Sequence, residues 1–274
     1  MNNLALATEQ TTESSAFSKI AELSGLREFK ALVSSLKVRV ERDKHIKYGS
    51  NLHMTLAGNP GVGKSTVAKL MGQVYFELGL LPANKLLKVT RSDLVAGYVG
   101  ETTIKTETRV NEAMGGILFI DDAHTLAISE DDMKGQEALY SVFMAMETYK
   151  SELAVIFADY PDKIESLLDK NAGFRSKIGH HLLLSDYTNE ELKDIFTVNI
   201  TKAGLDIEDK LISLLEGFMQ RYYLDTKRKT WGNARTIVAL VDEMKKEALI
   251  NGESTIGIRH IPSSLRKYLD ETAT

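Results

Sequence analysis

Gly58-Asn59-Pro60-Gly61-Val62-Gly63-Lys64-Ser65-Thr66 has the spacing G-x-x-x-x-G-K-[ST], with which backbone N–H groups and one ammonium can surround a run of phosphates. The glycines let those N–H groups turn inward, and a helix N-terminus favours a bound anion. Lys64 is expected to reach the β- and γ-phosphates, and the Ser65 hydroxyl to ligate Mg²⁺. A second signal is the apolar run Gly116–Ile120, which ends in two carboxylates, Asp121-Asp122. Asp121 falls where the Mg²⁺ of a bound nucleotide is held, usually through water. Together these residues predict a nucleoside triphosphate site.

Such a site needs a strand before the loop and a helix after it. The apolar run Leu52–Ala57 and the helix-like stretch Thr66–Leu78 supply both, which sets this segment apart from an ordinary glycine turn. Four further β-like runs follow: Lys85–Val89, Gly116–Ile120, Leu153–Ala158 and His181–Leu184. Short apolar strands alternating with helices predict an α/β fold, a five-stranded parallel sheet with helices on both faces. Its ligand should lie beyond the carboxyl ends of the strands, where the phosphate loop falls. A helical period runs from Leu26 to about Lys47 through Phe29, Leu32, Val33, Leu36 and Val40.

After Asp186 the pattern becomes wholly helical. Thr188-Asn189-Glu190-Glu191 reads as a capping box before Leu192, Ile195 and Phe196. Further helices are expected at 208–224, 233–250 and 261–270. The predicted organisation is a frayed, polar tail over 1–16, a nucleotide-binding α/β domain over 17–186 and a small helical lid domain over 187–274.

Composition narrows the function classes. The chain has 274 residues, 43% hydrophobic and 26% charged, as in a globular protein with one large and one smaller domain. A formal net charge of −4 argues against a broad nucleic-acid footprint. The absence of Cys excludes disulfides and thiol catalysis and fits a reducing cytoplasm. No apolar run is long enough for a membrane span, and the first residues lack a signal-peptide pattern. His180-His181 lacks metal-ligand spacing and reads as packed or solvated.

Further motifs accompany the phosphate loop and Asp121. They are Asp93-Leu94-Val95-Ala96-Gly97-Tyr98-Val99-Gly100-Glu101-Thr102, Ala113-Met114-Gly115-Gly116, Gly135-Gln136-Glu137-Ala138, Gly173-Phe174-Arg175-Ser176 and Gly232-Asn233-Ala234-Arg235. In this order they resemble the AAA+ ATPases, and within them the group of the Rubisco activase CbbX and the stage V sporulation protein K. The similarity runs from about residue 24 to residue 245. It implies ATP and Mg²⁺ as ligands and a ring, a hexamer, with nucleotide bound between subunits. It gives Tyr98-Val99-Gly100 the role of a pore loop gripping a protein client. An aromatic beside a β-branched residue and Gly can wedge against a backbone without reading its sequence, and Gly97 and Gly100 suit a mobile loop. Arg235 resembles the arginine that reaches from the helical domain to the phosphates, and Gly25-Leu26 matches the segment that lies near adenine.

Three positions depart from the family. Asp122 stands where relatives carry Glu, the residue that polarises the attacking water. It is one methylene shorter, withdrawing its carboxylate by roughly 1.5 Å, and a misplacement of about 1 Å can cost on the order of 100-fold in rate. Slow or partner-stimulated hydrolysis is therefore expected. Ala158-Asp159-Tyr160 replaces Ala-Gly-Tyr near the γ-phosphate. A carboxylate aimed there would be repelled by about 4 kcal/mol at 4 Å and an effective dielectric of 20. Asp159 is thus expected to face solvent or pair with a cation, with Tyr160 supplying the polar contact. Finally, Phe174-Arg175-Ser176-Lys177 replaces Phe-Arg-Ser-Arg, which leaves Arg175 and Lys177 as candidates for the cation donated across the subunit interface; Lys lacks the planar fork of Arg.

The expected catalytic set is therefore Lys64, Asp122, Arg175, Lys177 and Arg235. The leading reading is a ring ATPase that remodels a protein partner. A weakly hydrolysing switch, scaffold or subunit of a mixed ring is the second reading, and a nucleic-acid loader the third.

Overall fold

The structure, a computed structural model, describes residues 14–43, 51–98, 100–129, 131–170, 172–225 and 231–269. It opens with α1 (Ala16–Ala21), capped by the Ser15 hydroxyl, which accepts from the Phe17 amide and donates to Glu77 at 2.9 Å. Ala16 is fully buried, which corrects the boundary expected for the polar tail. Residues 1–13 of that tail lie outside the described residues. Helix α2 (Arg27–Arg42) buries Phe29, Val33 and Leu36 on one face, as the helical period requires. Residues 44–47 of the expected helix lie outside the described residues.

The chain continues through β1 (Met54–Gly58), α3 (Lys64–Glu77), β2 (Leu86–Val89), α4 (Arg91–Leu94), α5 (Thr102–Ala113) and β3 (Ile117–Asp121). A 3₁₀ turn over Ala123–Ala127 leads to α6 (Met133–Thr148), β4 (Ala154–Asp159), α7 (Pro161–Lys170), α8 (Ala172–Arg175) and β5 (His180–Leu184). All five strands begin and end within two residues of expectation. They form one parallel sheet in the order β2-β3-β4-β1-β5. Strands β1 and β4 are buried along their whole length, whereas edge strand β5 alternates and leaves Leu183 exposed. One core lies between the sheet and α1, α2 and α3, and a second between its other face and α5, α6 and α7. In register, Ala57 faces Asp159 and Asp121 faces Ala158. The carboxyl ends of three adjacent strands therefore finish at one level, and two of them finish in an aspartate.

Beyond Asp186 come α9 (Asn189–Lys202), β6 (Asp206–Ile207), α10 (Asp209–Asp225), α11 (Asn233–Ile250) and β7 (Thr255–Ile256). The expected capping box forms: the Thr188 hydroxyl accepts from the Glu191 amide, and the Glu191 carboxylate accepts from the Thr188 amide. Two expectations are corrected here. The region is not wholly helical, because β6 and β7 pair in parallel, and residues 263–268 form a 3₁₀ turn instead of an α-helix. Pro262 before that turn and the two-residue length of each strand explain why a periodicity reading passes over both. These elements share a core of their own, with Phe196, Leu215, Phe218, Ile237 and Met244 inside it.

Candidate nucleotide site

A cleft of about 760 Å³ lies between the carboxyl ends of the strands and helices α9 and α11. Its floor is the phosphate loop. Gly61 (φ +72°) and Gly63 (φ +101°) take left-handed backbone that other L-residues adopt only with strain, and Gly63 is the N-cap of α3. Helix α3 consequently starts at Lys64, with Ser65 and Thr66 in its first turn and facing the cleft. The Lys64 ammonium donates to the carbonyls of Gly58 (2.6 Å) and Asn59 (3.1 Å), and it lies 5.6 Å from the Tyr160 ring centre. Burial holds its pKa below the ordinary lysine range; Asp121, Asp159 and Asp122 oppose that shift, and Arg235 adds to it. Val62 is buried beneath the loop.

Asp121 and Asp122 line the same cleft at the end of β3. Asp121 is bonded by Lys88 of β2 at 2.7 Å, so a cation already rests on the carboxylate expected to meet the metal. Asp122 adopts left-handed backbone (φ 52°, ψ 48°) and is exposed, its carbonyl accepting from both the amide and the hydroxyl of Thr125. Asp159, expected to face solvent or pair with a cation, has an imidazole as its partner, not a lysine or arginine. It does not face solvent: its side chain is 0% exposed, and it pairs with His124. Tyr160, partly exposed, lines the cleft beside it.

The opposite wall comes from the helical region and from the segment before α2. Arg235 on α11 and Leu26 at the start of α2 line the cleft, together with Ile195, Val198 and Val238. Gly25 lies behind this wall, where an added Cβ would come within 2.8 Å of the Tyr187 ring. Four polar residues tie the walls together: Asn59 and Asn233, which belong to motifs read from the sequence, and Asp186 and Tyr187, which that reading did not single out. Asn233 donates to the Pro60 carbonyl (3.1 Å) and to Asp186 (3.1 Å), Asn59 donates to the same carboxylate (2.9 Å), and the Tyr187 hydroxyl donates to the Val62 carbonyl (3.2 Å). Burial pushes the Tyr187 hydroxyl up to about 12, so it remains a donor at neutral pH. The available signal was positional: Asp186-Tyr187 follows β5 after one residue, and Asn233 precedes Arg235 by two residues.

The loop and the helical region approach so closely that a Cβ on Gly61 would lie 1.7 Å from the Gly232 carbonyl oxygen. Gly61→Ala is therefore expected to separate these segments and to cost about 1–3 kcal/mol of stability, together with a several-fold loss of nucleotide affinity. Thermal denaturation and nucleotide titration check this; parent-like values in both would show that the contact carries no weight.

The other sequence-selected residues lie elsewhere. Arg175 is not part of this cleft; it donates to Glu165 (2.6 Å) and Asp169 (3.2 Å), and α8 is anchored by buried Phe174, packed 4.4 Å from Phe143 and 4.6 Å from Phe157. Lys177 pairs with Glu147 at 2.6 Å. Between α4 and α5, Tyr98 is 76% exposed, with open space around Gly97 and around Gly100 (φ +84°). Val99 lies outside the described residues. His181 bonds the Thr55 hydroxyl through Nδ1 at 2.9 Å. Among the described residues, no helix is long and apolar enough to cross a membrane.

Residues 54–181 match the family described as "ATPase family associated with various cellular activities (AAA)". Over 231 residues the chain is 33% identical to the chromosomal CbxX protein of Cupriavidus necator, covering 82% of this chain and 72% of that one. The chain belongs to the CbbX/CfxQ family of AAA+ ATPases. It is also 37% identical to CfxQ of Xanthobacter flavus over 71% of its own length, and it spans 61% of the length of that relative. A third relative, the chloroplastic ribulose bisphosphate carboxylase/oxygenase activase of Cyanidioschyzon merolae, is 36% identical over 73% of this chain and 64% of its own. Among solved structures, the RuvB Holliday junction branch migration motor of Thermotoga maritima superposes with a TM-score of 0.58 at 22% identity, covering 90% of this chain and 71% of that one. That likeness concerns the fold, a AAA+ module with a parallel five-stranded sheet followed by a helical region.

Proposed function

We propose that this AAA+ protein assembles into a ring, a hexamer in the leading reading, and couples ATP binding and hydrolysis to remodelling of a polypeptide held by the loop at Tyr98. The observation that carries this reading is the convergence of Lys64, Ser65, Asp121, Asp122 and Arg235 on one cleft.

The residues fit ATP and Mg²⁺. The left-handed glycines and the N-terminus of α3 provide an anion cradle. Lys64 turns from the Gly58 and Asn59 carbonyls to the β/γ-phosphates. Ser65 and Asp121 would hold the metal, which would require Lys88 to leave Asp121. Bound Mg²⁺ supplies charge neutralisation on the transferred phosphoryl group. Leu26, Ile195, Val198 and Val238 offer an apolar slot for adenine. Asp122 orients the attacking water, and Arg235 carries the state of the phosphates into the helical region, which acts as a lid domain. Arg175 and Lys177, both outside their own cleft, serve a neighbouring subunit, with Arg175 the better match for a trans-acting cation.

We assign a protein client and a cytoplasmic setting. One relative is called a ribulose bisphosphate carboxylase/oxygenase activase; for this chain the client class is a polypeptide, without that identity. A weakly hydrolysing switch, or a subunit of a mixed ring, is the second reading, favoured by the short side chain at Asp122. A nucleic-acid loader finds no support in the net charge of −4.

The test joins assembly to grip. Mass photometry with ATP is expected to show rings for the parent and to lose them, or their nucleotide dependence, in Lys64→Ala. A photo-crosslinking side chain at position 98 of the ATP-bound ring identifies the client, and hydrogen exchange then follows that client. Tyr98→Ala is expected to abolish the ATP-dependent change while basal turnover stays within about twofold. Undiminished remodelling by Tyr98→Ala would sink the threading mechanism.

A further inference from the structure

Asp159 is a carboxylate placed in the wall of a site for polyphosphate. It ends β4, one residue beyond the register partner of Asp121, and is 1% exposed. Its charge is felt at Lys64, whose pKa it raises. An uncompensated anion here would oppose the γ-phosphate that the cleft otherwise attracts.

The compensation comes from the His124 amide and ring and from the Tyr160 amide. The Asp159 Oδ2 accepts from the His124 backbone amide at 2.7 Å and is bonded by His124 Nδ1 at 2.7 Å, while Oδ1 accepts from the Tyr160 amide at 2.8 Å. Both oxygens are therefore engaged by the segments that flank the cleft, and among the described residues no donor from the phosphate loop bonds them. His124 reaches this position because Asp122 takes left-handed backbone and turns the chain into the 3₁₀ segment that follows β3. Its ring also lines a separate small cleft with Lys163, Ser166 and Lys170, outside the nucleotide cleft. His124 is not among the residues that line the nucleotide cleft, whereas Asp159 is. That placement suits a group acting on the carboxylate and does not suit a base acting on water.

We propose that His124 is a positioning residue for ATP: it holds the Asp159 carboxylate turned from the phosphates and offsets its charge, so that a site with an extra buried anion still accepts a γ-phosphate. Removing the ring leaves a buried carboxylate with only backbone donors, free to turn toward the cleft, and that arrangement discriminates against the nucleotide with the more extended anion. Removing the carboxylate as well abolishes the penalty. The pair is consequently coupled: loss of His124 is harmful only while Asp159 is charged.

The proposal rests on nucleotide binding in this cleft, which the parent and Lys64→Ala report independently. Equilibrium competition against a fluorescent nucleotide, with a slowly hydrolysed ATP analogue and with ADP, is measured for the parent, His124→Ala, Asp159→Asn and the double variant. His124→Ala is expected to weaken the ATP analogue about tenfold and ADP by less than about threefold. The double variant should recover most of the lost affinity. If the parent binds no nucleotide, the reading of the cleft fails. If the parent binds but His124→Ala matches it within twofold, or loses both nucleotides equally without rescue, the positioning role fails. Should His124→Ala not fold, Asp159→Asn decides alone: ATP binding at least as tight as the parent supports the proposal, and weaker binding overturns it.

Discussion

Asp122→Glu is expected to raise ATP turnover by up to about 100-fold, equivalent to roughly 2.7 kcal/mol off the barrier. The added methylene restores the reach that an aspartate lacks at this point of the cleft. The backbone works against the exchange. Asp122 sits at φ 52° and ψ 48°, a conformation that Asp tolerates better than longer residues because its short side chain bonds locally. The Glu variant should therefore be less stable by about 1 kcal/mol while hydrolysing faster. Saturating-ATP kinetics and thermal denaturation, run together, separate the two effects. Intact ATP binding with unchanged turnover would remove Asp122 from the catalytic set and favour the switch or scaffold.

The second large effect is on the fold. His53 precedes β1 and is 4% exposed, with Nδ1 accepting from the Val155 amide (3.1 Å) and Nε2 donating to the Met146 carbonyl (3.2 Å). This is the neutral ring. A second proton would face the Val155 N–H, and burial lowers the pKa from 6.5 to about 4. Between those values the unfolded chain binds a proton that the native protein refuses, so stability rises with pH across that window and is lost as pH falls. Fully developed near pH 4, the loss is roughly 3 kcal/mol. Denaturant titrations at pH 7 and 4.5 should show the parent losing about 2 kcal/mol more than His53→Gln, whose amide can accept and donate along the same directions without titrating. Groups common to both proteins cancel in that comparison. Equal losses would mean that His53 titrates normally.

The sheet was legible because each strand is a short apolar run between clear breaks, and the phosphate loop because its glycines serve a backbone need. The acidic strand end was legible for the same reason, since Asp121 closes the run Ile117–Ile120. What escaped the sequence consists of pairs. His124 lies in the 3₁₀ turn after β3 and Asp159 at the end of β4, and neither residue alone announces the other. Lys88 reads as an ordinary edge-strand charge until register sets it opposite Phe119, from where it reaches Asp121 two residues further along β3. Asn233 was visible as part of a motif, but its bond to Pro60 needed the helical region folded back onto the loop. The parallel pair β6–β7 is too short to leave a period.

That last bond has a consequence in time. Pro60 and Asn233 are 173 positions apart, and a ribosome adding about 5–20 residues per second needs on the order of 10 to 30 s to cross that interval. The phosphate loop therefore exists in the nascent chain well before the residues that close over it. Its glycines must wait, unsupported by Gly232 and Asn233, until the far end of the chain has been made. Early capture of nucleotide by the emerging sheet would meet only one wall of the site, and the finished grip is a late event in the life of each molecule.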